Sequence, residues 1–199
     1  MQLPRFKSVA LLPVGSALLL SLLACQRPGV RQAESAALAR AQSAAQALST
    51  RLRERLSSTL ASRGPLAAVE VCAQEAQSLR TAVEKEYGVR VGRASLKLRN
   101  PKDTAPPWVE AWLRAQQPGQ TPAPISRIQS GTAQVLRPIL TEPVCLMCHG
   151  DPAAMPQELR DALSKHYPQD QATGYRNGDL RGALWAEAPL GRDAQTQRP

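Results

Sequence analysis

The most constraining feature of the sequence is the segment Cys145-Leu146-Met147-Cys148-His149, in which an imidazole directly follows the second of two closely spaced thiols. This is the attachment pattern of c-type haem: both thiols add across the haem vinyl groups, and the adjacent histidine lies under the iron. A chain that carries such a haem folds around a large, flat, mostly apolar group. We therefore predict one covalent haem c, with Cys145 and Cys148 as thioether links and His149 as an axial ligand.

Two other interpretations of these residues are a zinc site and a redox dithiol. Cys145, Cys148 and His149 could join Cys72 in a Cys₃His tetrahedron around zinc. A redox dithiol begins a helix within a βαβ unit, and nothing around Cys145 resembles such a unit. Haem requires the histidine directly after the second cysteine, whereas zinc and dithiol chemistry do not, so the pattern favours haem.

The N-terminus has the pattern of an export signal. Basic residues Arg5 and Lys7 precede an apolar run that is too short and too broken to span a membrane comfortably, and small residues come before Cys25. We predict a signal peptide over residues 1–24. Its Leu-Leu-Ala-Cys ending resembles the bacterial lipobox, which implies a lipid on Cys25, and Gln26 in place of Asp favours the outer membrane. We thus expect export and an anchor facing the periplasm; an ordinary signal peptide with an incidental cysteine is the alternative.

The charge and the aromatic content narrow the class of partner. The formal net charge is +9, and it falls to +7 once Arg5 and Lys7 leave with the signal peptide. The basic residues are scattered, without the interleaved aromatic side chains that base stacking needs, so we expect no nucleic-acid partner. The charge instead suits anionic lipid or an acidic redox partner. Aromatic residues make up 4% of the chain, so a buried cofactor would supply apolar volume that the core lacks.

Two helices are predicted in the first half of the chain. Residues 31–64 are rich in Ala, Leu, Arg and Gln, and an apolar stripe recurs every four residues at Leu48, Leu52, Leu56 and Leu60. Gly64 and Pro65 end this long helix, and a second one runs from about Pro65 to Tyr87. On the second helix Cys72 shares an inward face with Val69, Ala76, Leu79 and Val83.

The second half of the chain alternates strands and short helices. We predict a strand after Gly88 with a bulge or bend at Gly92, a strand over residues 131–140 in which Pro138 marks an edge or an end, and a last strand over residues 180–190. Leu180, Leu184, Ala186 and Leu190 share one face of that last strand. Short helices are predicted over residues 108–115 and 156–165.

These elements predict an α+β fold: an antiparallel sheet flanked by helices, with a long N-terminal helix. We divide the chain into the signal peptide, a tether over residues 25–34, one haem-binding domain over residues 35–190 and a disordered tail over residues 191–199.

The second axial ligand has four candidates. Met147 lies between the thioether cysteines and is badly placed, and Met155 would have to loop back with strain; His166 and Tyr167 precede a polar loop and are expected at the surface. Cys72 is distant in sequence and lies on a core face. A lone buried cysteine is usually only a small apolar residue, although in an oxidising compartment a free thiol needs protection. Cys72 is favoured, and Met155, His166 or water remain alternatives.

Four separated segments carry a family resemblance: AAVEVCAQEA, RASLKLRNPKDTAPPWVEAWL, PVCLMCHGDP and YPQDQATGYRNGDLRGALWAEAPL. Together they resemble the c-type haem-binding sensor domains with a PAS-like fold, over about residues 35–190. The resemblance implies a single covalent haem, ligated by His149 on one side and by the thiolate of Cys72 on the other. It also implies a role in redox sensing.

Further haem contacts are expected from basic and aromatic side chains. Arg93, Lys97 and Arg99 could pair with the haem propionates, since a guanidinium matches a carboxylate; the alternative is a strand that turns its charges to solvent. Trp108 and Trp112 could pack on the porphyrin or simply fill the core.

Three functional classes follow from a ligated haem. The first is a redox or gas sensor, and because the chain shows no kinase, cyclase or chemotaxis module, we expect its signal to pass to a partner protein. The second is a one-electron carrier in an envelope respiratory chain. An enzyme such as a peroxidase is disfavoured, because two axial ligands block peroxide and no distal histidine is available. The stripe on the long helix would also permit a homodimer.

Overall fold

The protein structure, a computed structural model, describes residues 28–191; the predicted signal peptide, Cys25 and all but the first residue of the predicted tail lie outside them. The helices are α1 (Pro28–Tyr87), α2 (Pro107–Arg114), α3 (Leu146–His149) and α4 (Gln157–His166), and the strands are β1 (Arg90–Ala94), β2 (Ile125–Gln129), β3 (Thr132–Leu140) and β4 (Leu180–Pro189). Two short 3₁₀ turns, Pro143–Cys145 and Pro152–Ala154, flank α3. The α+β class is confirmed.

Helix α1 is a hairpin of two arms, residues 28–63 and residues 65–87, which we call the first and second arms. Gly64 between them is not helical, with φ 78° and ψ −177°. Residues 20 apart on a straight helix are separated by about 30 Å, yet Arg55 of the first arm makes two hydrogen bonds of 2.6 Å with Glu75 of the second. Arg51 and Glu86 form a second such pair at 2.8 Å. The predicted boundary at Gly64 and Pro65 is therefore confirmed, while the first arm begins at Pro28 and includes residues 28–34.

The reversal at Gly64 leads to a stability prediction. A side chain at this φ and ψ is strained whatever the space around it, and a Cβ there would meet nothing within 4 Å. Gly64→Ala should therefore lower the free energy of unfolding by about 1–3 kcal/mol through backbone strain alone. Urea titration of the haem-free protein measures this, with Gly191→Ala as the control because it also faces open space but lacks a positive φ. Equal midpoints for the two variants would contradict the hairpin geometry.

The four strands form one antiparallel sheet in the order β1-β4-β3-β2. Neighbouring residues of a strand face opposite sides, so Leu184, Ala186 and Ala188 of β4 pack with α1, whereas Ala183 and Trp185 pack with α2. The surface of the first arm that meets the sheet consists mainly of alanines, Ala37, Ala41, Ala44 and Ala45, with Leu48. These small alanine side chains let the arm approach the sheet closely. Of the predicted leucine stripe only Leu48 is buried, because alanines form the rest of the contact surface.

The bulge is in a different strand from the one predicted. Strand β1 pairs with β4 without interruption through Gly92, which lies opposite Trp185, and it ends at Ala94. The register shift instead falls between β3 and β4, where Ile139 pairs with Gly182 but Leu140 pairs with Leu180. A one-residue shift moves side chains to the other face. Leu180 consequently packs on the α2 side, away from the face predicted for it.

Strand β2 was missed in the sequence. It joins β3 through Ser130 and Gly131, which both have positive φ, as in the tight turns that favour hairpins. The pairing of β2 covers only residues 132–136 of β3, so Pro138 lies beyond the end of β2, where no amide donor is needed on that side. In the part of the chain that the structure describes, no helix is long and apolar enough to cross a membrane.

Candidate functional site

The two motif cysteines lie on one short turn. Cys145 ends the first 3₁₀ turn, which begins at a proline, and Cys148 and the following histidine lie in α3. The turn is tied to the first arm, because Arg53 forms a 2.5 Å ion pair with Glu142, whose backbone N–H donates to the Cys145 sulfur at 3.4 Å. Cys145, Cys148 and Cys72 are free thiols. We call Cys72, Cys145, Cys148 and His149 the thiol–histidine cluster.

A second segment, residues 170–175, runs beside the motif. The backbone N–H of Tyr175 donates to the carbonyl of His149 at 3.0 Å, and that of Gly174 donates to Gly150 at 2.8 Å. The Nδ1 atom of His149 lies 2.7 Å from the carbonyl oxygen of Ala172. A carbonyl can only accept, so Nδ1 carries the proton and Nε2 keeps its lone pair.

The imidazole of His149 is held neutral. Burial, together with the positive charges of Arg99 and Arg181, lowers the pKa of His149 to about 3, although its hydrogen bond to Ala172 acts in the opposite direction. At neutral pH the ring therefore has an unprotonated Nε2 and an Nδ1 fixed by a backbone carbonyl. Histidines that ligate metals are commonly oriented in this way.

Arg99 contacts both the motif and the 170–175 segment. Its Nε donates to Asp170 Oδ2 at 2.9 Å, and its Nη2 donates to the carbonyls of Cys148 and, at 3.4 Å, Ala172. Its Nη1 lies 3.5 Å from His149 Nε2. The side chains of Arg99 and Asp170 are only 12% and 11% exposed, so water weakens this ion pair little.

Three arginines lie close enough to His149 to lower its pKa. They are Arg93, Arg99 and Arg181, and we call them the arginine triad. Arg93 has a long 3.8 Å contact with Asp103. Arg181 sits at the bulge of β4, where its Nε is buried without a hydrogen-bond partner among the described residues. Its guanidinium lies 5.2 Å from the centre of the Tyr175 ring. Sequence analysis missed Arg181; a basic residue within a largely apolar strand was the available signal.

The structure brings Cys72 to the motif through the second arm. Neighbouring Val69 and Ala73 pack in a buried cluster with Cys148, Met155, Leu159, Leu163 and Tyr167. Burial raises the pKa of the Cys72 thiol, while the positive charges of Arg93 and Arg99 oppose the rise. Burial also raises the pKa of Cys148, and Cys72 is near enough to raise it further.

The other predicted residues are divided between this site and other places. Lys97 is close to it, since its Nζ donates to the Thr173 carbonyl at 3.2 Å. Trp108 is in the α2 cluster, where its indole N–H donates to Glu187 at 2.6 Å, and the structure places it in no contact with the thiol–histidine cluster. Trp112 packs in the same α2 cluster.

The residues considered as alternative axial ligands differ in how far they are exposed. Met147 is 45% exposed, Met155 is buried against Val69, and His166 is half-buried at the end of α4. Tyr167 was expected at the surface, but it is 8% exposed, because it closes the buried cluster under Arg99. Burial raises the pKa of Tyr167 to about 12.

The residues present fit a haem in three respects. His149 Nε2 has a lone pair that suits an iron. The Arg181 Nε has no hydrogen-bond partner among the described residues and suits a carboxylate. A porphyrin edge could be covered by exposed apolar side chains, which are those of Leu96, Val144 and Met147. One local change is required, because Arg99 Nη1 stands in front of Nε2. Within residues 28–191, no three His, Cys, Asp or Glu side chains are grouped to hold a metal ion by themselves.

Comparison with known proteins assigns the family. A family model described as Tll0287-like matches residues 30–189. The chain belongs to the Tll0287-like family. The solved structure titled "Crystal structure of the cyanobacterial heme-protein Tll0287" is similar, with 25% sequence identity and a TM-score of 0.49, over 61% of this chain and 73% of that chain. By that title, the cyanobacterial protein is a heme protein. No curated protein matches the chain.

The whole site lies within the Tll0287-like region. Residues 30–189 include the thiol–histidine cluster, the arginine triad and both arms of α1 around Gly64. The family assignment therefore covers the entire described site together with the helix that carries Cys72.

Proposed function

We propose that the chain binds one haem c covalently and serves as a redox sensor with a PAS-like domain. Cys145 and Cys148 form the thioether links, and His149 Nε2 and Cys72 Sγ are the axial ligands. When bound, the haem would supply a one-electron ferric–ferrous couple, and small gases would reach the iron once Cys72 is released. The observation that carries the proposal is the His149 ring, fixed through Nδ1 by Ala172 with Nε2 free, on the same turn as two reduced thiols.

Cys72 as a ligand is supported by its surroundings. Burial favours the neutral thiol, and the nearby Arg93 and Arg99 favour the thiolate that binds iron. A thiolate ligand stabilises the ferric form, so we propose a low-potential, low-spin ferric state. When Cys72 is not bound to iron, its buried position favours a proton on Sγ.

The arginine triad and Lys97 are proposed to meet the propionates. A guanidinium fork matches a carboxylate in geometry as well as charge. Within the triad, Arg181 has an unpartnered Nε and Arg93 has only its long contact with Asp103, so these two are freer to bind an anion than Arg99. Trp108 is proposed to keep its place in the core instead of contacting the haem.

A sensing role is supported by the position of Cys72 on the hairpin. One turn beyond it on the second arm, Glu75 is hydrogen-bonded to Arg55 of the first arm. A change in what Cys72 binds would therefore act on the second arm, which this pair ties to the first arm. We propose that a partner protein reads this change, and that the domain itself catalyses no reaction and binds no nucleic acid.

A one-electron carrier is the second candidate. Val144 and Met147, close to the thioether cysteines, are 53% and 45% exposed, so the motif turn that would hold the haem is accessible to a redox partner. Carbon monoxide separates the two roles: a sensor that releases Cys72 on reduction binds it, and a carrier that keeps both ligands does not.

The location follows from the N-terminus and is proposed on the sequence alone. Signal cleavage after residue 24 and lipidation of Cys25 would hold the domain in the bacterial envelope, on the periplasmic side and at the outer membrane. A homodimer through the first arm stays a prediction, tested by light scattering of the purified protein.

Covalent attachment tests the proposed function directly. After co-expression with haem-attachment enzymes, wild-type protein should carry the mass of one haem under denaturing conditions, and the double variant Cys145→Ser/Cys148→Ser should carry none. Cys72→Ser is the matched control, since it removes a thiol from the same site but should keep the covalent haem. Wild-type protein that is folded and free of haem would refute the proposal.

A further inference from the structure

We propose that Arg99 is a positioning residue that sets His149 for ligation before any haem is attached. Its guanidinium clamps the motif turn to the 170–175 segment, so that the Ala172 carbonyl meets Nδ1 and Nε2 is left as the ligand atom. That these contacts prepare His149 for a haem rests on the proposed function, whereas the contacts of Arg99 themselves are present in the haem-free chain.

The clamp depends on contacts that Arg99 divides between two segments. Nη2 donates to the Cys148 carbonyl in the motif, and Nε donates to Asp170 at 2.9 Å in the neighbouring segment. The guanidinium carbon of Arg99 lies over the ring of Tyr167, 5.9 Å from the ring centre. One planar side chain thereby adds bonds to both segments, beside the backbone hydrogen bonds of Gly174 and Tyr175 to the motif turn.

Asp170 connects Arg99 to Ala172, whose carbonyl accepts the hydrogen bond of His149. While one carboxylate oxygen accepts from Arg99, the other accepts from the backbone N–H of Ala172 at 2.8 Å. Ala172 is thus held through its N–H by Asp170, while its carbonyl, which belongs to the next peptide group, lies 2.7 Å from Nδ1 of His149. The tautomer of His149 is in this way determined by a chain of contacts that begins at Arg99.

Arginine suits this role better than lysine. The guanidinium is planar and carries several donors in fixed directions, so it can serve Asp170 and Cys148 together, whereas an ammonium acts as a point charge. The contact between Nη1 and Nε2 of His149 is long, at 3.5 Å, and is the weakest of the set. Ligation through Nε2 needs only this contact to open, and the contacts to Asp170 and Cys148 can remain.

The experiment uses the haem-free protein, expressed without attachment enzymes. Hydrogen exchange is followed at the amides of Gly174 and Tyr175, which bond to the motif carbonyls, and ¹⁵N shifts of the ring report the tautomer of His149. The variants are Arg99→Met, Arg99→Lys and Asp170→Asn. Arg93→Met is the matched control, because it removes an equal charge near His149 but no bond to either segment.

In Arg99→Met we expect exchange at both amides to become about tenfold faster, since a charge-assisted hydrogen bond that closes the segment is lost. The ring of His149 should change from a single tautomer to a mixture. Arg99→Lys should recover part of the protection, and Asp170→Asn should show a smaller effect in the same direction. Arg93→Met should match the wild type.

Two results would overturn the proposal: an unchanged tautomer and exchange rate in Arg99→Met, or an equal effect of Arg93→Met, which would make the cause charge alone. If Arg99→Met does not fold, the graded pair Arg99→Lys and Asp170→Asn decides by the same readings. Failure here is distinct from failure of the proposed function, because these measurements involve no haem, whereas absence of covalent haem in wild-type protein leaves them valid.

Discussion

Replacing Cys72 by alanine is expected to abolish the low-spin thiolate signature that we propose for the ferric, haem-loaded protein. The structure brings the second arm, and Cys72 with it, to the motif turn, where we propose that its thiolate is the second iron ligand. Without it the second axial position is empty or filled by water, so the iron should become largely high-spin. The reduction potential should rise, because a thiolate stabilises ferric iron. Absorption and EPR spectra, with a potentiometric titration, measure all three effects.

Met155→Leu is the matched control for this result. Met155 is a second buried sulfur in the same cluster, and leucine keeps its volume, so the spectra should be those of the wild type. A Cys72→Ala protein with unchanged spectra would make Cys72 a core residue and would favour the electron carrier. If Met155→Leu were the variant that lost the signal, Met155 would be the ligand.

The largest loss of stability is expected from Gly182→Ala. A Cβ at this position would lie 2.1 Å from the backbone oxygen of Ala94, at the end of β1, and 3.3 Å from the Cβ of Ser95. The nearest atom belongs to the backbone, so it can move only if the end of the β1–β4 pairing opens. We expect a cost of about 3 kcal/mol, at the upper end for overpacking, and a fall in melting temperature of roughly 6–12 °C.

Thermal unfolding of the haem-free protein measures this effect, with Gly191→Ala as the control because a Cβ there meets nothing within 4 Å. The variant should also disturb the site, since the Ser95 hydroxyl next to the clash donates to the carbonyl of Arg181 at 2.8 Å. A melting temperature within a degree or two of the wild type would mean that the strand end yields locally, and the close approach would then not constrain this position.

Much of the architecture could be predicted because its signals are local. The helix boundary at Gly64 and Pro65 and the short helices α2 and α4 follow from residues that favour or break helices wherever they occur. The C-x-x-C-H pattern is equally local, since five consecutive residues bring two thiols and an imidazole onto one turn. Cys72 was selected by elimination and by family resemblance, and its neighbours Val69 and Ala73 on the second arm pack in the same buried cluster as Cys148.

The errors have a common cause, which is that the deciding partner is distant in the chain. Strand β2 has little apolar alternation and is held by pairing with β3. The bulge at Arg181 depends on the register between β3 and β4, and it sends Leu180 to the opposite face. Tyr167 looked like a surface residue beside a polar loop, and it is buried because α4 and the second arm enclose it.

The sequence by itself determined the chemistry that is present: two thiols and a histidine on one turn, a third thiol on a helix, and a helix boundary at Gly64 and Pro65. Only the tertiary structure decided how these groups are arranged around one another. The neutral, Nδ1-protonated state of His149 comes from the carbonyl of Ala172, and the excess positive charge comes from arginines on three separate segments. Burial and hydrogen bonding depend on which segments meet, and no local pattern contains that information.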